Sequence, residues 1–172
     1  MSEMKPRLLK ATQIKAQEQT FHHPWNKKSE ITGMMLRRTL GLVRTGVNIG
    51  RVPPGKESFV YHAHHREEEW IYVLAGKGIA EIDDQEFEVE PGDFMAFPAP
   101  FVAHHMRNPF TEDLAYLFGG ENLEYEIADF PKLGKRMLRR GQAIDVYELA
   151  DTKPFWPTRR LTRWSIGAHG AR

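Results

Sequence analysis

The sequence predicts an all-β domain, because short β-type runs alternate with glycine, proline and aspartate over residues 36–118. Short strands at close, regular spacing favour a barrel or a sandwich, with jelly-roll topology among the options. Asp83-Asp84 and Pro91-Gly92-Asp93 are typical of tight turns between strands. The chain has 172 residues, which is enough for one domain with a sizeable hydrophobic core.

Eight strands are predicted in order along this region. Each is a run rich in β-branched, aromatic or alternating apolar residues, and each is bounded by turn-forming residues. The predicted strands cover residues 42–51, 58–64, 70–75, 78–82, 85–89, 93–97, 104–108 and 114–119.

Three segments are predicted. Residues 1–35 are polar and lack a sustained period, so we expect an irregular N-terminal arm. Residues 36–120 form the predicted barrel, and residues 121–172 form a C-terminal extension that packs on it. In the extension, the basic run 131–141 is expected to be a solvated face or a dimer contact rather than a phosphate-binding patch. Residues 145–150 are expected to be a short strand or a helical turn, and residues 158–172 a loosely ordered tail.

Composition excludes several classes of function. The net charge of +1 gives no electrostatic case for binding nucleic acid or an anionic membrane. The absence of cysteine excludes disulfides and thiolate metal sites, which leaves histidine and carboxylate as metal ligands. No apolar run approaches the roughly 18 residues of a membrane helix, and residues 1–10 are not followed by the apolar stretch of a signal peptide. A cytoplasmic location is therefore predicted.

The most informative stretch covers residues 62–76. His62 and His64 are two residues apart, so on a β-strand they point to the same face. A turn through residues 65–68 would let the next strand bring Glu69 back toward them. Imidazole nitrogens and a carboxylate oxygen form a ligand set for transition metals. A further nitrogen donor is needed, and the strand predicted at residues 104–108 opens with two histidines.

These residues resemble the two sequence motifs of the cupin family. The first motif falls on Gly55, His62, His64, Glu69 and Gly76, and the second on Gly92, Pro98, His104 and Asn108. The sequence departs from the family pattern in three ways. Six residues separate Gly55 from His62, where the family usually has five. Pro100 stands at the usual glycine position, and one extra residue separates it from His104.

The resemblance implies a cupin double-stranded β-helix, a small jelly-roll barrel with its site inside. It also implies that a divalent transition metal, Zn, Mn, Fe or Ni, is bound by His62, His64, Glu69 and His104. Motif spacing to Asn108 favours His104 over His105, and spacing to the motif glycine favours Glu69 over Glu68.

The function implied is that of a small single-domain bacterial cupin, a group that includes candidate sugar-phosphate isomerases. Such a protein would act on a small oxygenated metabolite in a metal-dependent reaction. A metal-dependent dioxygenase and a non-catalytic small-molecule binding protein remain as alternatives, so enzymatic turnover stays an open question. A homodimer is expected, since exposed edge strands need cover.

Strand parity and position suggest roles for several further residues. Met106 and Asn108 should share the inward face of His104, and Ile71 and Val73 that of Glu69, giving a mostly apolar cavity. Outward or surface positions are expected for His65, His105, Glu67 and Glu68. The candidates for a catalytic base are Tyr61, Tyr116 and Glu68, and those for contacts to a substrate phosphate are Arg51 and Lys56.

Overall fold

The computed structural model describes residues 7–153 and shows an all-β fold in which every strand pair is antiparallel. Two short helices, α1 (Ala11–Ala16) and α2 (Leu36–Leu40), precede most of the strands, and none of the helices in this range is long and apolar enough to cross a membrane. Residues 158–172, for which a loose tail is predicted, lie outside the described residues. The strands are β1 (Gln19–Phe21), β2 (Ile31–Met34), β3 (Thr45–Val52), β4 (Ala63–His64), β5 (Glu69–Ala75), β6 (Gly78–Ile82), β7 (Gln85–Val89), β8 (Phe94–Phe97), β9 (His104–Arg107), β10 (Leu114–Glu121), β11 (Tyr125–Phe130), β12 (Lys135–Arg140) and β13 (Ala143–Glu148).

The strands form three sheets. The largest has the order β1-β2-β3-β10-β5-β8, the second β13-β12-β11-β4 and the third β7-β6-β9. An antiparallel bridge between His62 and His104 links the second and third sheets through their histidine-bearing segments. This arrangement confirms the predicted all-β jelly-roll class.

The main core lies between the six-stranded sheet and the three-stranded sheet. Val73 on β5 and Leu114 on β10 are fully buried, and they pack in one cluster with Ala80 of β6 and Met106 of β9. Along β5 the side chains alternate as expected, since Ile71 and Val73 are buried while Tyr72 and Leu74 are each 40 % exposed. Every second residue of these strands therefore points into one apolar interior between the two sheets.

Two tight turns contain residues in the left-handed region of backbone conformation. Asp83 and Asp84, between β6 and β7, have φ values of 47° and 61°, the left-handed region of primed hairpin turns. Gly76 has a φ of 72°, and a Cβ built on it would lie 2.1 Å from the Asp113 carbonyl oxygen. The motif glycine after β5 is therefore required both by its backbone conformation and by the close approach of another chain segment.

The strand predicted at residues 58–64 forms only over its last two residues, which are β4. The reason is that this segment crosses between two sheets. Ser58 N–H and His62 N–H donate to carbonyls of Met106 and His104 on the β9 side, whereas His64 pairs with Ala128 of β11. The crossing leaves His62 facing one sheet and His64 at the edge of the other.

The described part of the predicted N-terminal arm contributes to the six-stranded sheet through β1 and β2. The predicted first strand begins at Thr45 rather than at residue 42, because the chain is still leaving α2 there: Leu42 N–H donates to the Arg37 carbonyl at 3.1 Å, after the left-handed Gly41. In the extension, residues 143–148 form β13 and a 3-10 turn follows at Leu149–Asp151. The division into arm, barrel and extension stays a prediction.

The basic run of the extension is largely neutralised by carboxylates. Arg136 donates to Asp129 at 2.6 and 2.7 Å, and Arg140 lies 2.5 Å from Asp145. Lys132, Lys135 and Arg139 pair with Glu81, Glu148 and Glu67 respectively. Each of these cations therefore has a carboxylate beside it. This neutralisation explains how a strongly basic sequence forms a regular strand.

Candidate metal centre

Four side chains named by the sequence motifs converge on one point. The Nε2 atoms of His62, His64 and His104 lie 3.6, 3.3 and 3.2 Å from the same oxygen, Oε2 of Glu69. His64 is on β4, Glu69 opens β5 and His104 opens β9, so three separate strand segments supply the group. We refer to these four residues as the ligand cluster.

The other ring nitrogen of each histidine has an oxygen acceptor. Nδ1 of His62 donates to the Val60 carbonyl at 2.7 Å, and Nδ1 of His104 to the Val102 carbonyl at 3.2 Å. Nδ1 of His64 lies 3.3 Å from Oε1 of Glu126. These acceptors hold a proton on Nδ1 of each ring, so a metal at the centre would bind the Nε2 atoms, as in histidines that bind metals.

The carboxylate and the imidazoles of the ligand cluster shift one another's pKa values. Burial opposes ionisation of Glu69, but the three histidines outweigh burial and hold the pKa of Glu69 well below its usual range. Burial also disfavours the charged form of His64, yet hydrogen bonds to Glu126 and Glu69 raise the pKa of His64 to about 10, so a metal that binds Nε2 must displace a proton from it. Burial lowers the pKa of His104. Three imidazole nitrogens and a carboxylate oxygen that converge on one point match the ligand set of a divalent transition metal.

Aromatic rings fix the orientation of two of the imidazoles. Phe97 of β8 stacks on His104, with ring centroids 3.5 Å apart and planes within 1° of parallel. Phe130 of β11 stacks on His62 at 6.1 Å. Because these aromatic rings flank them, the two histidines are held in place by packing as well as by their Nδ1 hydrogen bonds.

A second group of residues surrounds His64 from behind, and sequence reasoning missed its most important member. Glu126 on β11 is fully buried, and its Oε1 accepts from the backbone N–H groups of His65 and Arg66 at 3.0 and 3.2 Å as well as contacting His64. Alternation along β11 is a signal that could have predicted the burial of Glu126, since this residue shares a strand face with the buried Ala128 and Phe130. An acid on a buried face needs such partners.

Glu67 corrects the expectation of a surface acid. Its side chain is only 4 % exposed, accepts from Leu123 N–H at 2.6 Å and is paired with Arg139 of β12. Arg139 also donates to the Leu123 carbonyl at 3.0 Å. Glu67, Glu126 and Arg139 together form the support cluster, which ties the extension to the segment that carries His64.

Two spaces open from the ligand cluster. The first is an inner cavity of ≈ 70 Å³ beside His62, Glu69 and His104. Its other lining residues are Ser58, His105 and Gly119 and the larger, mostly apolar Phe59, Trp70, Ile71, Met106, Tyr116 and Phe118. The second is a cleft of ≈ 320 Å³ that runs from His64 and Glu69 to Arg37 and Arg38 of α2, and we call it the α2 cleft. A mostly apolar cavity with a polar cluster at one end matches the expected anatomy of a small-molecule site.

Known proteins with a similar sequence and fold identify the family. A family model described as a cupin domain matches residues 48–119, the range that holds the whole ligand cluster. A candidate sugar phosphate isomerase from Acidithiobacillus ferrooxidans is 33 % identical, with a TM-score of 0.82, over 87 % of this chain and 97 % of that chain. The chain belongs to the cupin family. 

Two further relatives extend the comparison of this cupin. A sugar phosphate isomerase of the cupin superfamily from Silicibacter pomeroyi shares its fold, with a TM-score of 0.70 and 23 % identity over 78 % of this chain and 87 % of that chain. The uncharacterised protein MJ1618 of Methanocaldococcus jannaschii is 37 % identical over 57 residues, which are 33 % of this chain. This match spans only 44 % of the length of that curated relative.

Residues next to the ligand cluster of this cupin are occupied elsewhere. His65 bonds Asp129 at 3.0 Å, and Glu68 is exposed. His105 points away from the cluster as parity predicts, but it is buried between Glu57 and Glu81, at 3.5 and 3.3 Å. The spacing arguments for His104 and Glu69 therefore agree with the positions of these side chains.

Asn108 of the second motif has the structural role expected from its place near a strand end. Its Nδ2 donates to the carbonyls of Val52 and Glu112, at 2.8 and 2.7 Å, and its Oδ1 accepts from Phe110 N–H at 3.1 Å. These hydrogen bonds tie the turn after β9 to the end of β3. All three are made to backbone groups, so Asn108 has a structural role.

Among the candidate bases, Tyr116 is the one that lines the inner cavity. Tyr61 instead accepts from Asp84 N–H at 2.9 Å beside the β6–β7 turn, and Glu68 is exposed outside the site. The Tyr116 side chain is almost completely buried, and its hydroxyl has no hydrogen-bond partner within residues 7–153. Burial raises the pKa of Tyr116, so the phenol is neutral at physiological pH.

The structure pairs both candidates for phosphate contact with carboxylates, away from the ligand cluster. Arg51 is paired with Glu18 at 2.6 Å and with Asp113 at 3.3 Å, and Lys56 is paired with Glu30 at 2.8 Å. Neither residue lines the inner cavity or the α2 cleft. The sequence gives the position of each cationic residue along the chain, but it does not show which carboxylates the fold places beside that residue.

Proposed function

We propose that this cupin binds one divalent transition metal through the ligand cluster and isomerises a small oxygenated metabolite of the sugar-phosphate class. The observation that carries the proposal is the convergence of three Nε2 atoms on Oε2 of Glu69, at 3.2 to 3.6 Å. Three neutral imidazoles and one carboxylate leave a divalent ion with net positive charge. Such a centre, next to an apolar cavity and a wider cleft, suits a substrate that carries a carbonyl and hydroxyl groups.

A bound divalent metal supplies a Lewis acid that polarises a substrate carbonyl. The protein residues do the rest. Val60 and Val102 carbonyls and Glu126 keep the three imidazoles in the Nδ1–H tautomer. The aromatic wall of Phe59 and Phe118 excludes water from the reacting carbons.

Tyr116 is suited to donate rather than to accept a proton. Its hydroxyl is buried in the inner cavity and stays neutral, so it offers a hydrogen bond to a substrate oxygen that gains negative charge. This assigns Tyr116 the role of acid toward that oxygen, and the carbon-bound proton must go to another acceptor.

Relatives support the substrate class. The Acidithiobacillus protein, at 33 % identity over 87 % of this chain, is named as a candidate sugar phosphate isomerase. The similarity covers nearly the whole of that protein, including the segment with the four ligand residues. It makes isomerisation the first reaction to test, ahead of dioxygenase chemistry or ligand binding without turnover. The homodimer and the cytoplasmic location expected from the sequence stay predictions.

The first test is elemental analysis of protein purified without an affinity tag. We expect about one equivalent of a transition metal in the wild type and none in the His62→Ala/His104→Ala double variant. His65→Ala is the matched control, because His65 bonds Asp129 outside the ligand cluster. Circular dichroism establishes that each variant is folded. A wild type that holds no metal, and takes up none of Zn, Mn, Fe or Ni, would exclude the proposed function.

The second test measures turnover. The metal-loaded protein is incubated in D₂O with aldose phosphates and ketose phosphates of three to six carbons, and the sugars are followed by ¹H NMR. Interconversion with deuterium incorporated next to the carbonyl is expected, and the double variant should lack it. Metal binding without interconversion would leave the binding-protein alternative, and oxygen consumption by the iron-loaded protein would favour the dioxygenase.

A further inference from the structure

Cationic side chains line the α2 cleft together with members of the ligand cluster. Arg37 and Arg38 of α2 line it, together with Arg139 of β12. A second space of ≈ 860 Å³ continues outward from the same three arginines toward β13. The ligand cluster and the arginines therefore face one connected, solvent-accessible path.

The carboxylates that face the α2 cleft do not neutralise all of this charge. Glu67 is paired with Arg139, and Glu69 belongs to the ligand cluster. Glu121 is exposed at the edge of the cleft and accepts from Glu68 N–H at 3.3 Å. Within residues 7–153, the guanidinium of Arg37 has neither an ion-pair partner nor a hydrogen-bond partner, although it is half-buried.

This contrasts with the arginines of the extension. Arg136, Arg139 and Arg140 on β12 each have a carboxylate within ion-pair distance. Arg44, which has no such partner among the described residues, is exposed and lines neither the α2 cleft nor the inner cavity. Arg37 is different because it is half-buried, lacks an anion and shares a cleft with the ligand cluster.

We infer that Arg37 and Arg38 bind the phosphate group of a phosphate monoester whose carbonyl end lies at the ligand cluster. The inference rests on the proposed function and adds the residues that select the phosphorylated substrate. A guanidinium offers a planar fork of donors that matches two phosphate oxygens, and it stays charged at any physiological pH. A dianionic phosphate gains more from two arginines than a monoanionic carboxylate does.

The test is calorimetric titration of inorganic phosphate into protein freed of metal by chelation. We expect the wild type to bind phosphate and the Arg37→Gln/Arg38→Gln double variant to bind it at least about tenfold more weakly, as loss of charge-assisted hydrogen bonds implies. Arg44→Gln is the matched control and should stay within about twofold of the wild type. The single variants Arg37→Gln and Arg38→Gln serve if the double variant does not fold. Acetate should bind at least about tenfold more weakly than phosphate.

The outcomes separate this inference from the proposed function. The His62→Ala/His104→Ala variant should bind phosphate like the wild type, since the subsite needs no metal, while the Arg37→Gln/Arg38→Gln variant should keep its metal. The inference is overturned if the wild type does not bind phosphate, if the arginine variants bind it undiminished, if acetate binds equally well, or if the histidine variant loses phosphate binding. Absence of metal from the wild type would instead count against the proposed function alone.

Discussion

The ligand cluster and the support cluster meet at His64 but are built in opposite ways. The side chain of Glu69 is 32 % exposed and aims at three nitrogens beside an open cavity, whereas Glu67 and Glu126 are 4 % and 0 % exposed and face protein donors. The first cluster leaves room for something to enter, while the second is enclosed by protein. The comparison teaches that exposure and the nature of the partner, rather than the acidic residue itself, separate a binding group from a supporting group.

The largest effect should come from the carboxylate of the ligand cluster. Glu69→Gln removes the negative charge that faces three imidazoles, so we expect metal affinity to fall by more than about 100-fold, beyond the range seen for supporting residues. Glu68→Gln is the matched control, because that side chain is exposed and should leave affinity unchanged. Competition with a chromophoric chelator measures both. Equal effects of the two variants would contradict the distinction between these neighbours.

A smaller effect is expected one contact farther out. Glu126→Gln keeps an acceptor for the backbone N–H groups of residues 65 and 66 but loses the charge beside His64. Metal affinity should fall by about 10- to 100-fold, as for other supporting residues of metal-bound histidines. Glu124→Gln, at an exposed position just before β11, is the control for this change. A wild-type affinity in Glu126→Gln would mean that Val60, Val102 and packing alone orient the histidines.

Ligands and supports also differ in how far the sequence reveals them. The alternation of His62 and His64 and the two family motifs predict the ligand cluster because these signals are local. Glu126 lies 62 residues from its partner His64, and their contact depends on β11 pairing with β4, for which the sequence carries no local pattern. The same limit explains Arg51, whose partners Glu18 and Asp113 come from distant segments.

Strand prediction succeeded and failed for related reasons. β6 and β7 match their predicted bounds, because the hairpin is closed by a two-residue turn and both strands are local. The segment at residues 58–64 has strand-like residues throughout, yet only β4 is regular, because its backbone bonds are divided between two sheets. α2 was missed because five residues are too few to establish a helical period.

Breaking the ion pair of the support cluster should affect stability more than metal binding. Arg139→Gln leaves Glu67 buried with Leu123 N–H as its remaining donor, so the free energy of unfolding should fall by about 1–3 kcal/mol. Metal affinity should change by less than about tenfold, because Glu67 is 3.9 Å from Nδ1 of His64. Arg140→Gln, which breaks an exposed pair, should cost no more than about 1 kcal/mol in urea titrations. If Arg140→Gln lowered the free energy of unfolding more than Arg139→Gln, the stabilising role assigned to the buried Glu67–Arg139 pair would be contradicted.

The smallest effect concerns acid stability at the outer end of the same sheet. Hydrogen bonds from Arg136 and His65 outweigh partial burial and lower the pKa of Asp129. A depressed carboxyl pKa stabilises the folded protein above the pKa of the unfolded state, and that contribution is lost as pH falls through the folded value. Asp129→Asn should therefore lower the urea midpoint at pH 7, and lower it less at pH 3, where part of the charge contribution is already lost. A deficit that is the same at both pH values would show that packing, rather than charge, is responsible.

The pairing of β11 with β4 makes occupancy of the centre and docking of the extension thermodynamically linked. His64 sits in that pairing opposite Ala128, and Glu126 of the same strand contacts its ring. Whatever occupies the ligand cluster of the folded chain must also hold β11 in place, and by reciprocity the hydrogen bonds of β11 must contribute to that occupancy. Metal saturation should consequently slow amide hydrogen exchange in β11, some 60 residues along the chain from the histidines on β4.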